Sequence, residues 1–232
     1  MKRKNFSHLK IKVQTEKTNH FKHEGFIAGT PPFLRGNHSF TTTNSNLNQH
    51  TINQIFPYDI NEINTTKNIV NEKPILLTNQ HELNSELQIA QLLLKASTIL
   101  KNNISNKIKI DAIAPKIHIG WKTTNNLISE IGKIRATRML WAKIIQQFQP
   151  KNQKSLALEI FITNQNFTSY LIALTSEAKV FNPNIELVSY IKNTTFITKT
   201  IDPFAGSTVI EKFTEEFYTK TWDLFLKLNS NK

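Results

Sequence analysis

The chain has 232 residues, 39% of them hydrophobic, and a formal net charge of +12 from 29 Lys and Arg against 17 Asp and Glu. This length and hydrophobic content exclude a wholly disordered polypeptide and leave room for one sizeable domain or two small ones. Cysteine is absent from the sequence, which excludes disulfides, thiolate metal sites and a cysteine nucleophile. The positive charge is spread as single lysines among Asn, Ile and Thr, so we expect it to reflect composition and do not expect nucleic acid as the partner.

Residues 1–73 are polar and broken up, and we predict an irregular N-terminal arm there. The arm contains one compact island, FIAGTPPFLRG at 26–36, followed by the Asn- and Thr-rich stretch TTTNSNLNQHTINQ. Such a stretch buries too little apolar surface to offset the entropy that is lost on ordering. It therefore predicts a linker or a long loop ahead of a second, regular part at 74–232.

The sequence has no apolar stretch of about 20 residues, the length that a membrane-spanning helix needs. Residues 1–22 also lack the apolar core of a secretory signal. We therefore expect no membrane association and a cytoplasmic location.

Short apolar runs and segments of helical periodicity alternate through 74–232. In chain order, the predicted elements are a strand at 75–78, a helix at 82–100, a strand at 116–122, a helix at 126–147, a strand at 156–163, a helix at 168–181, a strand at 194–201, a DPFAGS turn at 202–207 and a helix at 213–228 that Thr214 caps. Strands that alternate with helices predict a parallel α/β sheet or barrel.

Two long segments carry a resemblance to a known family. APKIHIGWKTTNNLISEIGKIRATRMLWAKI, from Ala114, and TIDPFAGSTVIEKFTEEFYTKTWDLF, from Thr200, resemble the methylmalonyl-CoA mutase family in the same order along the chain. The resemblance implies a TIM (βα) barrel that leads an acyl-CoA toward adenosylcobalamin held by a second domain. A whole barrel needs about 250 residues and eight strands. With four candidate strands, the expected fold is α/β, a partial or truncated TIM barrel of the acyl-CoA mutase type with an irregular N-terminal arm.

The departures from the family fall where its chemistry lies. Asn37 and His38 stand where the family has Pro and Tyr, and neither its Gly-Tyr-His setting nor its Asp-x-His-x-x-Gly cobalamin motif has a match. The resemblance therefore implies a chain with no catalytic residue, no metal ligand and no cofactor of its own. We expect a non-catalytic protein, similar to the small subunit of two-chain mutases, that partners a catalytic mutase chain or forms a homodimer, with acyl-CoA as a possible ligand of the assembly.

Individual residues suggest local roles. Arg35, after Pro-Pro-Phe-Leu, is the candidate for binding a CoA phosphate, and its chemistry leaves open an alternative function as a basic module that holds the phosphates of CoA or of nucleic acid. His118 alternates within a predicted strand, with no acid or serine at the spacing of a dyad, and is interpreted as a packed histidine.

Three further charged positions have structural interpretations. Arg135 and Arg138 lie three apart on a predicted helix near Glu130, which favours ion pairs on the protein surface. Asp202, before Pro203, is interpreted as a turn former whose carboxylate accepts from nearby backbone N–H groups.

Overall fold

A computed structural model describes residues 21–39, 75–78, 84–164, 166–181 and 183–230. Most of the predicted arm and linker at 1–73 lies outside these residues, so their boundary with the regular part stays a prediction. No helix within the described residues is long and apolar enough to cross a membrane.

The described chain folds into alternating strands and helices. The strands are β1 (Ile75–Thr78), β2 (Ile117–Trp121), β3 (Glu159–Ile162) and β4 (Lys179–Val180). The α-helices are α1 (Ser85–Ser105), α2 (Ile110–Ile113), α3 (Leu127–Gln146), α4 (Phe167–Ser176), α5 (Ile185–Thr194) and α6 (Thr208–Ser230), and short 3-10 turns occupy Ala114–Lys116, Gln153–Leu156 and Ile197–Lys199.

The four strands form one parallel sheet in the order β1-β2-β3-β4. The register pairs Ile75 with Ile117 and Ile119 with Ile160. Each crossover between neighbouring strands contains helix, as parallel pairing requires. The predicted parallel α/β architecture is confirmed.

The two faces of the sheet differ because successive strand residues point to opposite sides. Ile117, Ile119 and Trp121 of β2 join the large hydrophobic core that the helices cover. On the opposite face, the ring of His118 packs edge-on against Phe161, with 5.7 Å between ring centroids. Both faces of β2 are buried, which explains why its sequence is nearly free of charge.

Asparagine, abundant in this chain, begins four of the helices. Asn84, Asn126, Asn166 and Asn184 precede α1, α3, α4 and α5, and each side-chain oxygen accepts a hydrogen bond from the backbone N–H three residues later. Such capping satisfies an N–H group that lacks a partner inside the helix.

The sequence prediction was wrong in the segment between β3 and α6. The predicted helix at 168–181 stops at Ser176, because Glu177 takes the left-handed conformation with φ 53°, and the chain then forms β4. The predicted strand at 194–201 is a 3-10 turn with the exposed Phe196, and the unpredicted helix α5 precedes it. The fourth strand therefore lies earlier in the chain than the sequence indicated.

The start of the closing helix was also placed too late. Helix α6 begins at Thr208, so Thr214 lies inside it, buried, with its hydroxyl donating to the carbonyl of Ile210. The remaining predicted strands and the helix at 126–147 match the observed elements to within three residues at most ends.

Helices α3 and α6 form the most extensive helix pairing, and a glycine sets their separation. A Cβ added to Gly132 would lie 2.9 Å from the Cβ of Phe213 and 3.4 Å from backbone atoms of α6. This contact requires glycine because a methyl group there would push the helices apart.

We predict that Gly132→Ala lowers the free energy of unfolding by about 1 to 3 kcal/mol, because the added methyl overpacks the α3–α6 contact. Urea denaturation measures the change. Gly25→Ala is the matched control, since a Cβ at Gly25 meets nothing within 4 Å. Equal stabilities of the two variants would contradict the close approach of α3 to α6.

Candidate functional site

Four charged side chains from three distant parts of the sequence meet inside the protein, and we call Arg35, Arg135, Asp202 and Glu211 the charged cluster. The guanidinium of Arg35 lies 2.7 Å from the Asp202 carboxylate and 2.9 Å from that of Glu211. Arg135 contacts the same two carboxylates, at 3.1 Å in the case of Glu211. All four side chains are at most 4% exposed.

The charges of the cluster balance, since each arginine pairs with both carboxylates. Burial alone would raise the pKa of Glu211, but contact with His23 and the two arginines outweighs burial and holds that pKa at about 2. Burial would lower the pKa of Arg35, yet Asp202 and Glu211 raise it. Glu211 is therefore ionised at neutral pH, where its carboxylate can pair with both guanidiniums.

The DPFAGS turn brings the two carboxylates together. Asp202 takes a positive φ of 48°, and its backbone oxygen accepts from the N–H of Ala205. Gly206, at φ 74°, donates its N–H to the carboxylate of Glu211 in the first turn of α6. The turn therefore aims both acids at Arg135 on α3.

Arg35, the residue predicted to hold a CoA phosphate, is the part of the cluster that comes from the N-terminal island. Besides its two carboxylates, its guanidinium donates to the carbonyls of Phe26 at 2.7 Å and of Glu24 at 3.2 Å. A phosphate would have to replace some of these acceptors. The phosphate contact stays a prediction. In the structure, the guanidinium of Arg35 binds groups of the protein itself.

The interpretation of Arg135 and Arg138 as surface residues was wrong. Both are 1% exposed, and Arg138 donates to the carbonyls of Ser176 and Glu177 at the end of α4. Their partners lie 38 or more residues away along the chain, so helical spacing could not identify them.

Glu130, the predicted partner of these two arginines, contacts other residues. It is buried, pairs with Lys133 at 2.8 Å and accepts from the indole N–H of Trp121. Asp202 also differs from its interpretation, because it does form the turn, yet its carboxylate binds the arginines rather than local N–H groups. His118 is a packed histidine as expected, and burial lowers its pKa to about 4.

A second group of polar residues lies at the amino end of the sheet, near β3 and β4. Glu159 pairs with Lys179 at 3.0 Å and accepts from the side-chain amide of Asn37 at 3.0 Å. The amide of Asn37 also donates to the carbonyl of Leu158. Asn37, at one of the positions where the sequence departs from the family it resembles, thus ties the N-terminal island to the sheet.

A third polar network, not foreseen from the sequence, joins the carboxyl ends of β2 and β3. The hydroxyl of Thr123 lies 2.8 Å from that of Ser169, and Asn164 exchanges hydrogen bonds with the backbone of Thr123. The signal was the run of Thr and Asn directly after each strand, at the edge where α/β proteins hold ligands. All these polar groups bond to one another, so the network joins the loops.

Metal binding has no support among the described residues, which contain no group of three His, Asp or Glu placed to hold an ion. The contacts of the charged cluster join three segments of the chain to one another.

We predict that Arg135→Met lowers the free energy of unfolding by about 3 to 5 kcal/mol, because it leaves two buried carboxylates to share Arg35. Chemical denaturation at neutral pH measures the loss. Glu216→Gln, which removes an exposed carboxylate 3.7 Å from Lys220 on the same helix, is the control and should change stability by less than about 1 kcal/mol. Similar losses in both variants would contradict the structural role of the cluster.

The family described as methylmalonyl-CoA mutase matches residues 50–175 and 175–231. The chain is 31% identical over 175 residues to the methylmalonyl-CoA mutase large subunit of Porphyromonas gingivalis, covering 60% of this chain and 24% of that protein. It is 27% identical over 170 residues to the large subunit of Streptomyces virginiae, covering 60% and 23%.

The mitochondrial methylmalonyl-CoA mutase of Homo sapiens is 29% identical over 175 residues, covering 61% of this chain and 23% of the human protein. The chain thus spans about a quarter of the length of these relatives. The family match extends over both resembling segments and well over half of the sequence. The chain belongs to the methylmalonyl-CoA mutase family.

Proposed function

We propose that this chain is a non-catalytic member of its family, which supplies part of a barrel as the structural partner of a catalytic mutase chain. The charged cluster carries the proposal. Arg135, Asp202 and Glu211 come from the two segments that resemble the family most, and they bind one another and Arg35 inside the protein. The shared segments therefore support a scaffold, with their charges used for folding.

The strand order supports a barrel arc. Doubly wound sheets reverse their strand order at a switch point, whereas the strands of a (βα)8 barrel follow one another around the ring. The order β1-β2-β3-β4 has no reversal. We propose that these strands are one arc of a TIM barrel, whose remaining strands come from another chain.

The proposed edges of the arc are β1 and β4. Among the described residues, no strand pairs with the outer side of either. Unpaired strand edges favour the addition of further strands. After β4 in the chain, the segment at 185–201 exposes Tyr190, Phe196 and Ile201, with Phe196 76% exposed, which supports contact with an apolar partner surface.

We propose that this chain performs no catalysis itself, and the contacts of individual residues support this. Asn37 bonds to Glu159 and Leu158, and the backbone N–H of His38 donates to Glu177, so the positions where the family has Pro and Tyr make structural contacts here. Two of the three described histidines are engaged within the protein, His23 between two carboxylates and His118 against Phe161. Neither of these two rings fits an axial ligand of cobalamin.

The proposed division of labour follows from these points. Any radical isomerisation of an acyl-CoA, which adenosylcobalamin initiates in this family, takes place on the catalytic chain. This chain contributes strands, and the completed barrel would enclose the acyl-CoA. A homodimer of this chain is the other arrangement that would cover the edges.

We predict that the purified chain associates with a full-length catalytic mutase chain at micromolar concentration, because the partner covers the edge strands. Analytical ultracentrifugation measures the complex. Phe196→Asp should weaken it at least about tenfold, since a carboxylate loses free energy when it is buried without a partner. Ile128→Asp, another exposed apolar position, is the control on α3. A stable monomer that does not bind the mutase chain would refute the proposal.

We also predict that the purified chain retains no cobalamin, because the rings of His23 and His118 are engaged within the protein. Visible absorbance after incubation with adenosylcobalamin and gel filtration measures retention, with a full-length mutase as the positive control. Uptake of one cobalamin per chain would show that the chain holds the cofactor itself.

A further inference from the structure

Two loops that precede the parallel strands β2 and β3 meet at the amino end of the sheet, and we call residues 106–116 and 147–158 the lysine platform. Its lysines are Lys107, Lys109, Lys116, Lys151 and Lys154. Four of them are exposed, and Lys116 is half-buried. Asp111 is the only acidic residue in the two loops, so the platform has an excess of positive charge.

Asp111 holds the two loops together. Its carboxylate accepts from the backbone N–H groups of Lys151 at 3.0 Å and of Asn152 at 3.2 Å, and from the hydroxyl of Ser155 at 2.7 Å. These donors, Ser155 foremost, lower the pKa of Asp111, so the carboxylate is ionised at neutral pH. The junction brings together lysines from segments 40 residues apart along the chain, which explains why their dispersal in the sequence gave no indication of a common surface.

The ammonium groups of the platform are not used within the described part of the protein. Lysines elsewhere have carboxylate partners, as Lys133 has in Glu130 and Lys179 in Glu159. None of the five platform lysines forms an ion pair or donates a side-chain hydrogen bond to another described residue. Their charges repel one another on one surface, and an anionic partner that lies across them would relieve that repulsion.

The remaining side chains of the platform indicate which kind of anion fits. None of the strongly exposed large apolar residues of the described chain lies in either loop, and Ile108 and Phe148 pack against the hydrophobic core. A stable protein interface has an apolar or aromatic centre, membrane surfaces favour apolar anchors, and single-stranded nucleic acids stack their bases on aromatic rings. The platform offers none of these on its surface.

The phosphate backbone of a nucleic-acid duplex needs less. Cations neutralise its phosphates, and side-chain amides and hydroxyls donate to the phosphate oxygens. Besides its lysines, the platform exposes the side chains of Asn106 and Asn152. Lysines and amides without aromatic rings therefore favour contact with the backbone of a duplex over contact with its bases.

We propose that the lysine platform binds the phosphate backbone of a nucleic-acid duplex without reading its sequence. The loops precede the two inner strands of the sheet, so a partner chain that pairs with the edges β1 and β4 does not need them. The proposal goes beyond the scaffold role and does not depend on it.

Fluorescence anisotropy of the full chain with a labelled, mixed-sequence DNA duplex tests the proposal. The logarithm of the binding constant should fall against the logarithm of salt concentration with a slope of about −3 to −4.5, as about three to five phosphate contacts require. A duplex of unrelated sequence and the same length should bind equally well. The absence of saturable binding at about 50 mM salt would overturn the proposal, since electrostatic binding is strongest at low salt.

Two double variants with the same net charge assign the binding to the platform. Lys109→Gln with Lys154→Gln should weaken binding at least about tenfold at low salt and make the slope shallower by about 2. Lys95→Gln with Lys212→Gln, at exposed positions of α1 and α6, is the control and should weaken binding less than about threefold. Equal losses in the two variants would overturn the proposal, because the net charge of the protein would then account for the binding.

Two further probes separate a duplex from other anionic partners. Poly-glutamate and vesicles that contain phosphatidylserine should compete weakly with the labelled duplex, because a duplex has the denser line of charge and releases more counterions when it is bound. Tighter binding of the chain to either probe than to the duplex would overturn the assignment of the platform to nucleic acid.

Discussion

The pairing of Arg35 and Arg135 with Asp202 and Glu211 is the interaction on which the described structure depends. Two guanidiniums and two carboxylates share one water-poor space, and each satisfies the charge of the others. Because a buried charge without a partner costs several kcal/mol, the N-terminal island at 26–36, α3 and the DPFAGS turn cannot separate independently. The position of α6, and with it the cover of the hydrophobic core, follows from this constraint.

The sequence predicts those elements well that depend on neighbouring residues, and predicts poorly those that depend on distant contacts. The strand at 117–121 and helix α3 follow from apolar periodicity, which neighbouring residues determine. Strand β4 has only two residues, and the sequence analysis included them in a helix predicted at 168–181. The helix ends before them because Glu177 takes a left-handed conformation. Thr214 is an acceptable cap by residue type, yet helix α6 starts six residues earlier, at Thr208.

The charged residues show more clearly which contacts could not be predicted from the sequence. Glu130 and Arg135 lie on the same helix, yet Arg135 finds its partners in Asp202 and Glu211, 67 and 76 residues later. Spacing along one helix carries no information on such contacts. The resemblance to a family did identify the segments that meet, since both Arg135 and Asp202 belong to the matching stretches, but it gave no indication that they bind one another.

The central proposal is that the described strands are an arc that another chain completes. A crystal structure of this chain assembled with a catalytic mutase chain tests it most directly. We predict strands of the partner hydrogen-bonded to the outer edge of β1 or β4, with the charged cluster unchanged. A structure in which both edges are closed by this chain's own residues, with the partner absent or bound elsewhere, would contradict the claim.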